Sequence, residues 1–528
     1  MSAQGRRVAQ VLGWVTLLAT ILWLSLRAWG SFQVGVYQDD AQYLVLARSL
    51  AEGDAYGLIN EPGEPPAPKH PFGFPLVIAP IVWLFPQQLM AGAAVSLAAT
   101  LINVSLLFWG WPLLSPSTGR WWGLGAAALY GLGPRVLGLT QVGLSEPTFV
   151  MFSLAALLLV EGRRGQPRGI SAFAVGVMLA FALFTRWLGL AVWAAVVVRI
   201  AMSRRGAGAS LVGVFGGGAA SLALILALTP VEVRHLVPVG YIAELQEGQR
   251  PTARRPMETT FVQRMLRVAS GYAFSDLRRV LIPAGGGNRE QALAERIGLP
   301  VLPLLASIAV FALVVLGTWS AWHTRALAAS VLLYELFCFA ALCLWPWHSE
   351  RLLYLLQPFL PFQLLLGVRV TGDIARHFLG RGSGPARIPI EAVAAGTALL
   401  VLSVLRDLPI ADSRTATRDL SIGTTWLAEN TPAGAIVMTE QPQTIFLYSG
   451  RRTVPLPPDA DLERSLHGVD YVLLGPALVW RDDGALAYDP PQERALRVLE
   501  GMAAEQRATE VYRSSDRELV RVFRVGRQ

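Results

Sequence analysis

Two short segments near the start of the chain carry ionisable side chains in an order that suits group-transfer chemistry. Asp39 and Asp40 form a pair of carboxylates just after the first long apolar run, and Tyr43 follows within one helical turn. Lys69 and His70 stand in a later polar segment, and Lys69 is the only lysine in the chain. A carboxylate can accept a proton from an attacking hydroxyl, and a cation can stabilise a departing anion. Because lysine and arginine are not interchangeable, one lysine among many arginines indicates a site.

The composition identifies the class of protein that must position these groups. Of the 528 residues, 53% are apolar and only 16% are charged, and the mean hydropathy is +0.44. The apolar residues come in runs of about 20, the length that crosses the hydrocarbon core of a bilayer. We therefore predict a mostly α-helical, polytopic membrane protein. The net charge of +8 lies largely in short loops, where it reports orientation, and it gives no reason to expect a nucleic-acid partner.

The apolar runs predict about eleven transmembrane helices. They cover roughly residues 9–31, 88–112, 121–140, 147–161, 169–185, 187–202, 209–229, 299–319, 326–346, 352–371 and 389–408. With a cytoplasmic N-terminus, every inside loop carries arginine, as the positive-inside rule requires. The segments predicted to lie outside the cytoplasm are then the loop 32–87, the turn Ser145-Glu146-Pro147, the loop 230–298 and the tail from residue 409. The expected location is the inner (plasma) membrane of the cell.

The C-terminal tail differs in character from the rest of the chain. Strand composition marks 435–438, 471–474 and 519–523, while 419–430 and 491–504 have helical periodicity. We predict a transmembrane domain over residues 1–410 and a soluble extracytoplasmic α/β domain over residues 411–528. The tail has no recognisable catalytic constellation, so the active site is expected in the outer loops 32–87 and 230–298 of the membrane domain.

The predicted topology brings the notable ionisable residues to one membrane surface. Those at or just outside the outer ends of spans are Asp39, Asp40, Lys69, His70, Glu146, Arg186 and Arg351. Arg135 lies in the outer half of the predicted span 121–140. Ionisable groups within or beside a membrane are costly and usually mark function. Carboxylates beside cations at this surface would suit the displacement of a phosphate leaving group.

The order of four motifs resembles that of the GT-C-fold glycosyltransferases, most closely the aminoarabinose transferase (ArnT) and protein O-mannosyltransferase group. The motifs are Asp39-Asp40-Ala41-Gln42-Tyr43, Lys69 with the prolines after it, Ser145-Glu146-Pro147, and Glu350-Arg351-Leu352-Leu353-Tyr354. The resemblance covers roughly residues 30–370. It implies a GT-C fold and an inverting enzyme that transfers a hexose or pentose from a polyprenyl-phosphate donor. The acceptor would be a lipid, a glycan or a protein on the non-cytoplasmic face.

The resemblance also implies a role for each candidate residue. Asp39 matches the family's general base, and Asp40 matches the acid beside it. The residues expected to bind the donor phosphate are Lys69, Arg186, Arg351 and Arg135. The residues expected to orient the acceptor are Glu146, Tyr43 and His70.

Two features of the resemblance leave questions open. Pro68 stands where the aminoarabinose enzymes have a metal-ligating glutamate, so a divalent metal is possible but its ligands are unknown. Gln42 stands where relatives often have arginine. The C-terminal domain would either position the acceptor or brace the outer loops.

Each candidate residue also has a purely structural interpretation. Asp39 or Asp40 could cap a helix over residues 41–52, and Glu146 could begin a helix capped by Ser145. Lysine and arginine at span ends could anchor the protein to lipid headgroups. A different function, transport or flipping of a polyprenyl-linked lipid, would also gather cations. Such proteins tend to have internal repeats and charges near the bilayer midplane, whereas this chain places its charges at one face.

Substitution of Lys69 separates a phosphate-binding site from a membrane anchor. An anchoring role predicts that Lys69→Arg is silent, because arginine keeps the charge. A phosphate contact in a shaped pocket predicts reduced activity for Lys69→Arg and a loss of about 2–4 kcal/mol of transition-state stabilisation for Lys69→Ala. The measurement is the transfer rate with a short-chain polyprenyl-phosphate sugar in detergent, with thermal unfolding as the folding control. Wild-type kinetics in both variants would remove Lys69 from the site.

Overall fold

The computed structural model describes most of the predicted membrane domain and most of the tail. The ranges described are residues 2–29, 34–35, 37–53, 56–66, 71–203, 206–228, 261–281, 301–344, 350–378, 413–457, 462–475, 478–480, 486–488, 490–514 and 520–526. Lys69 and His70, the predicted span 389–408 and much of the predicted loop 230–298 lie outside these ranges. The side chain of Arg135 also lies outside the described part, although its backbone is helical.

The N-terminal part of the chain is helical. Its helices are α1 (Ala3–Ala28), α2 (Asp39–Glu52), α3 (Gly73–Leu84), α4 (Ala91–Leu114), α5 (Arg120–Gly131), α6 (Pro134–Leu139), α7 (Glu146–Glu161), α8 (Ile170–Thr185), α9 (Gly189–Met202), α10 (Ala207–Leu228), α11 (Phe261–Gly271), α12 (Leu277–Leu281), α13 (Leu302–Thr324), α14 (Ala329–Leu344) and α15 (Leu360–Phe378). A π-helical turn, Tyr272–Asp276, joins α11 to α12, and a 3-10 helix, Glu350–Leu355, precedes α15.

Several of these helices have the character of membrane spans. In the described residues, four stretches are long and apolar enough to cross a bilayer: Gln4–Arg27, Ala91–Leu114, Ala207–Leu224 and Pro303–Thr324. Shorter apolar helices are Gly73–Leu84, Ile170–Thr185, Gly189–Met202 and Ala329–Leu344. The helical, membrane-protein character predicted from the sequence is therefore present, while the predicted division into eleven single spans is not reproduced helix by helix.

One predicted span is interrupted. Residues 121–140 were expected as a single helix, but they form α5 and α6 with a break at Leu132 and Gly133. Pro134, the next residue, has no N–H to donate to a continuing helix. Gly133 also packs tightly, since a Cβ there would come 2.6 Å from Gln357 Nε2. The prediction of one continuous span was therefore wrong. Hydropathy shows that the whole segment is apolar, but it does not show where the helix breaks.

The predicted span 352–371 is also composite. Its first residues belong to the 3-10 helix Glu350–Leu355, and the α-helix begins only at Leu360 and continues to Phe378. Pro358 lies in the turn between them, where a proline disfavours α-helical backbone in the residue before it. The interruption places Arg351 on a short helix of its own rather than at the first turn of a long span.

Close backbone contacts hold α13 and α15 together. A Cβ on Gly317 would overlap the carbonyl oxygen of Gln363, and a Cβ on Gly367 would overlap the carbonyl oxygen of Leu313. Small residues at such crossings let helices in lipid approach closely enough for dense van der Waals packing. The two glycines act reciprocally, one on each helix, so this contact depends on both.

The tail forms a mixed sheet with helices on both faces. Its strands are β1 (Ile436–Thr439), β2 (Arg452–Pro455), β3 (Tyr471–Leu474), β4 (Leu478–Trp480), β5 (Leu486–Tyr488), β6 (Ala508–Arg513) and β7 (Arg521–Val525), and its helices are α16 (Ser413–Asn430), α17 (Pro442–Ser449), α18 (Leu462–Ser465) and α19 (Pro490–Ala504). The five-stranded sheet has the order β2-β1-β3-β7-β6, and β4 pairs with β5 separately. β1 is parallel to β2 and β3, whereas β7 is antiparallel to β3 and β6.

Alternating side chains of the sheet enter two separate hydrophobic cores. Val472 of β3 packs in the cluster that contains Leu499 of α19, and Leu473, the next residue, packs in the cluster that contains Leu427 of α16. Adjacent residues of a strand point to opposite faces, so both faces of the sheet are covered. The strand and helix segments predicted in the tail correspond to these elements.

The tail contacts the membrane domain through α17 and β2. Leu447 of α17 is buried in the main core of the helical bundle. Asn60 accepts a hydrogen bond from the Thr453 N–H at 2.7 Å and donates one from its amide to Thr453 Oγ1 at 3.1 Å. An exposed ion pair of 3.1 Å between Arg452 and Glu64 lies nearby. The predicted outer loop 32–87 and the tail therefore form a shared interface.

Two glycines of α15 provide a matched test of the helix contact. Gly367→Ala should destabilise the protein by about 1–3 kcal/mol, because its Cβ has no room against Leu313. Gly372→Ala should be neutral or stabilising by about 0.5–1 kcal/mol, since nothing lies within 4 Å of its Cβ and alanine favours helix. Thermal unfolding of the detergent-solubilised protein measures both. Equal melting temperatures for wild type and Gly367→Ala would contradict the packing described.

Candidate active site

Four charged residues form a cluster of ion pairs, and each lies at or near the end of a separate helical element. Asp39 and Glu146 are the first residues of α2 and α7, and Arg186 directly follows the last residue of α8. Arg351 is in the 3-10 helix Glu350–Leu355. Carboxylates are favoured at the positive N-terminal end of a helix, and cations are favoured at the negative C-terminal end. Asp39, Glu146 and Arg186 therefore each carry the charge that the nearest helix end favours.

Glu146 lies at the centre of a cluster of ion pairs. Its Oε1 is 2.8 Å from Arg351 Nε and 2.9 Å from Arg186 Nη1, and its side chain is only 1% exposed. Neither of its oxygens has hydrogen-bond geometry with a partner in the described part of the chain, so the attraction is mainly Coulombic. A buried carboxylate is tolerated when cations compensate its charge. Both arginines are therefore held in place by one buried anion.

Asp39 occupies the exposed end of the same cluster. Its Oδ2 accepts a hydrogen bond of 2.6 Å from Arg351 Nη2, and its side chain is 26% exposed. The guanidinium of Arg351 thus links Asp39 to Glu146. It also lies over the ring of Tyr37, with 5.6 Å between Cζ and the ring centroid, the geometry of a cation–π contact. Of the two carboxylates, Asp39 is the one that an incoming molecule could reach.

Arg351 remains a cation in this setting. Burial alone would lower its pKa, but the negative charges of Glu146 and Asp39 outweigh burial and raise the pKa above its usual range. Arginine also presents planar N–H groups that suit carboxylate and phosphate oxygens. The arrangement therefore provides a permanent, oriented positive charge beside the reachable carboxylate.

Ser145 binds Arg186 directly, and Tyr43 contacts Ser145. Ser145 Oγ accepts a hydrogen bond of 3.0 Å from Arg186 Nη1 and lies 3.2 Å from the hydroxyl of Tyr43. Burial raises the pKa of Tyr43 to about 12, so its hydroxyl is neutral at physiological pH. The ring of Tyr43 packs edge-on against Phe74 of α3, with centroids 5.1 Å apart. Because Tyr43 is buried, its contacts are with the scaffold of the site.

Asp40 faces the backbone rather than this cluster. Its Oδ2 accepts a hydrogen bond of 2.8 Å from the Gly35 N–H, and its Oδ1 accepts one of 3.2 Å from the Tyr37 N–H. Burial raises its pKa to about 6, although these backbone hydrogen bonds act in the opposite direction. Both acids lie in the first turn of α2, so neither occupies the capping position before it. Asp40 shapes the segment that leads to Asp39.

The remaining predicted site residues are only partly placed. Lys69 and His70 lie outside the described residues, and of Arg135 only the backbone position in α6 is described. In the described part of the chain, no three His, Cys, Asp or Glu side chains gather as metal ligands would. The cluster's own carboxylates, Asp39 and Glu146, are already paired with arginine. A divalent metal therefore does not fit the described donor set.

Sequence reasoning missed three contributors to the site. Ser145 was interpreted as a helix cap, but it makes no side-chain capping bond and instead binds Arg186. Tyr37 stacks on Arg351, and Gly35 binds Asp40. The position of Ser145 beside Glu146 in an outward turn could have signalled its role. The contacts of Tyr37 and Gly35 depend on the folded path of the segment and have no local sequence signal.

The whole fold is similar to three solved structures. The crystal structure of ArnT from Cupriavidus metallidurans in the apo state matches with a TM-score of 0.58 and 14% identity, over 97% of this chain and 98% of that chain. ArnT bound to undecaprenyl phosphate matches with a TM-score of 0.55 and 13% identity, over 99% and 98%. The archaeal oligosaccharyltransferase AglB from Archaeoglobus fulgidus, in complex with an inhibitory peptide and a dolichol-phosphate, matches with a TM-score of 0.51 and 12% identity, over 90% and 74%.

These likenesses concern the fold. Neither a protein-family model nor a curated protein sequence matches the chain. The three structural matches nevertheless extend over at least 90% of this chain, so they cover both the helical bundle and the tail. The GT-C fold predicted from the motif order is confirmed.

The buried Asp40 carboxyl gives a pH-dependent prediction. Its pKa is ordinarily 3.8 and is raised to about 6 in the folded chain, so the folded state holds a proton that the unfolded state has lost. The stabilisation from this proton is complete below about pH 4 and is lost as the pH rises through about 6. The stability of wild type relative to Asp40→Asn should therefore fall across this window by on the order of 1–3 kcal/mol. Thermal unfolding at stepped pH measures it, and a pH-independent difference would contradict the burial described.

Proposed function

We propose that the chain is an integral membrane glycosyltransferase with Asp39 as its general base. It would transfer a hexose or pentose, with inversion, from a polyprenyl-phosphate donor to a hydroxyl on a lipid, glycan or protein acceptor. The observation that carries the proposal is the reachable carboxylate of Asp39, held by Arg351 in a cluster that also contains Glu146 and Arg186. The donor class is supported by the similar structures, which contain undecaprenyl phosphate in ArnT and dolichol-phosphate in AglB.

The donor phosphate becomes more negative during the proposed reaction, and the four-residue cluster by itself lacks a charge to balance it. Asp39, Glu146, Arg186 and Arg351 together have no net charge. A polyprenyl-phosphate sugar is a phosphodiester with one negative charge, and the departing phosphate monoester carries about −1.5 to −2 at neutral pH. Lys69, expected in the same outer region, would add the positive charge that the four residues lack. We assign Lys69, with Arg135, to the donor phosphate on this ground.

The two arginines are suited to bind that phosphate directly. The side chains of Arg186 and Arg351 are 16% and 20% exposed, so part of each remains accessible while Glu146 pairs with both. Planar guanidinium groups bind phosphate oxygens through paired hydrogen bonds. In this assignment Glu146 positions the two cations, and Tyr43 supports Arg186 through Ser145, so neither side chain touches the acceptor. The role of orienting the acceptor then remains with His70.

The reaction can be written as a single displacement. The acceptor oxygen attacks C1 of the sugar from the side opposite the phosphate, and the C1–O bond to the phosphate breaks. The bonding electron pair leaves with the polyprenyl phosphate, and the acceptor's hydroxyl proton passes to the carboxylate of Asp39. One displacement at C1 gives inversion. A donor phosphate that competes for Arg351 would weaken the 2.6 Å hydrogen bond that this arginine donates to Asp39.

The proposed function also includes a membrane orientation, which depends separately on the charges of the loops. With a cytoplasmic N-terminus, the cluster and the tail lie on the non-cytoplasmic side of the inner membrane. The polyprenyl tail of the donor would lie between helices of the bundle, with its phosphate at the outer surface. This orientation rests on the arginines of the short inside loops.

Replacement of Asp39 tests the function. Asp39→Asn keeps the shape of the side chain but removes the base, so transfer should fall by a factor of at least about 100. The assay measures release of polyprenyl phosphate by mass spectrometry, from a panel of polyprenyl-phosphate sugars supplied with envelope acceptors of the source cells. Glu64→Gln is the matched control, because Glu64 also pairs with an arginine but at an exposed position, where its partner is Arg452 of the tail.

Two outcomes would overturn the proposal. Near wild-type release of polyprenyl phosphate by a folded Asp39→Asn variant would show that Asp39 is not the base. Movement of a labelled lipid across vesicle membranes, without any cleavage of its sugar–phosphate bond by the wild type, would favour a lipid flippase.

A further inference from the structure

The C-terminal domain contacts the segment that immediately precedes the proposed base. We propose that α17 of this domain holds Asp39 in its working position, with Tyr448 and Thr444 as positioning residues. The inference rests on the proposed function, because it concerns the same carboxylate. It assigns a task to a domain that has no catalytic group of its own among its described residues.

The contact acts on the backbone of residues 34 and 35. The N–H of Val34 donates a hydrogen bond of 3.1 Å to the hydroxyl oxygen of Tyr448. Gly35 adopts a φ of +102°, a conformation that favours glycine, and a Cβ there would overlap the side chain of Thr444. The N–H of Gly35 donates a hydrogen bond of 2.8 Å to Asp40 Oδ2. The segment is thus fixed between the C-terminal domain and Asp40.

The turn that follows needs such support. Gln38 has a φ of 60° and a ψ of −46°, and the Asp39 N–H donates to the Tyr37 carbonyl oxygen at 2.6 Å. This is a γ-turn with a positive φ at a non-glycine residue, which is a strained and uncommon conformation. Strained backbone persists only where the surrounding structure over-determines it. Because Asp39 is the next residue, release of this turn would redirect the proposed base.

The C-terminal domain contacts the helical bundle through residues other than Tyr448. Leu447, beside Tyr448, is buried in the core of the helical bundle. Thr453 binds Asn60 through two hydrogen bonds and donates a third, of 2.8 Å, to the Pro442 carbonyl oxygen at the start of α17. The anchoring of α17 is therefore independent of the Tyr448 hydroxyl. Removing that hydroxyl should loosen residues 34–39 without undocking the domain.

Tyr448→Phe tests the inference because it keeps the ring and removes the hydroxyl group that accepts the hydrogen bond from the Val34 N–H. We expect kcat to fall about 2- to 10-fold, the range for loss of one positioning hydrogen bond, and KM for the donor to change less than kcat does. The smaller effect on KM is expected because Arg186 and Arg351 stand on other elements and both pair with the buried Glu146. Hydrogen exchange should speed up at the amides of residues 34–39 but not at residues 442–457. Arg452→Gln, at the same interface but away from this segment, should leave both readouts unchanged.

A double-mutant cycle identifies the route of the effect. If Tyr448 and Asp40 act through the same segment, the loss of kcat in Tyr448→Phe/Asp40→Asn should be smaller than the product of the two single losses. A loss in the double mutant equal to the product of the two single losses would overturn the inference. Unchanged kcat in Tyr448→Phe, or faster hydrogen exchange throughout the interface, would overturn it as well. Gly35→Ala, which adds a Cβ against Thr444, should lower kcat more than Tyr448→Phe does. The hydrogen-exchange measurement needs no glycosyl transfer. It therefore tests the contact between Tyr448 and the segment before Asp39 even if the proposed reaction is wrong.

Discussion

The buried charge of Glu146 is the constraint on which the ion cluster of this protein depends. A carboxylate that is only 1% exposed must be compensated, and two arginines from distant parts of the chain do so. One follows α8 and the other lies in the 3-10 helix before α15, so the ion pairs connect the middle of the chain to its later helices. The cation pair is therefore preorganised by the fold. Such fixed charges can stabilise a developing anion without the cost of rearrangement.

In the proposed function, the two carboxylates of the cluster divide structural and chemical tasks through their exposure. Glu146 is enclosed and serves the arginines, whereas Asp39 shares Arg351 but stays at the rim. A base must meet its substrate, and a scaffold charge must be shielded from competing water. Asp40, the neighbour of Asp39, is buried as Glu146 is, and it binds backbone amides. Adjacent acids in the sequence thus have separate functions in space.

The C-terminal domain belongs to the site although it contributes no side chain to the ion cluster. It contacts the backbone before Asp39, where a γ-turn at Gln38 requires support. This arrangement couples the docking of the C-terminal domain to the geometry of the ion cluster. The structural matches extend over nearly the whole chain, so the domain is part of the shared architecture.

Much of the fold could be predicted from composition and periodicity. Apolar runs predicted helices close to those observed at 91–114, 146–161 and 170–185, because burial in lipid demands continuous hydrophobic helices. Strand composition predicted the central strands of the tail for a similar reason. The break at Gly133 and the composite start of the last described span were not predicted, since local turn geometry and close packing override hydropathy there.

The sequence by itself determined which residues were chemically notable, namely a carboxylate pair, an outward glutamate and arginines at span ends. It could not decide how they share the work, because charge and residue type do not encode distance. Only the tertiary structure separated Asp39, which pairs with Arg351, from Asp40, which binds backbone. The physical reason is that the ion pair of Asp39 joins it to a residue 312 positions away, and this geometry exists only after the helices have packed.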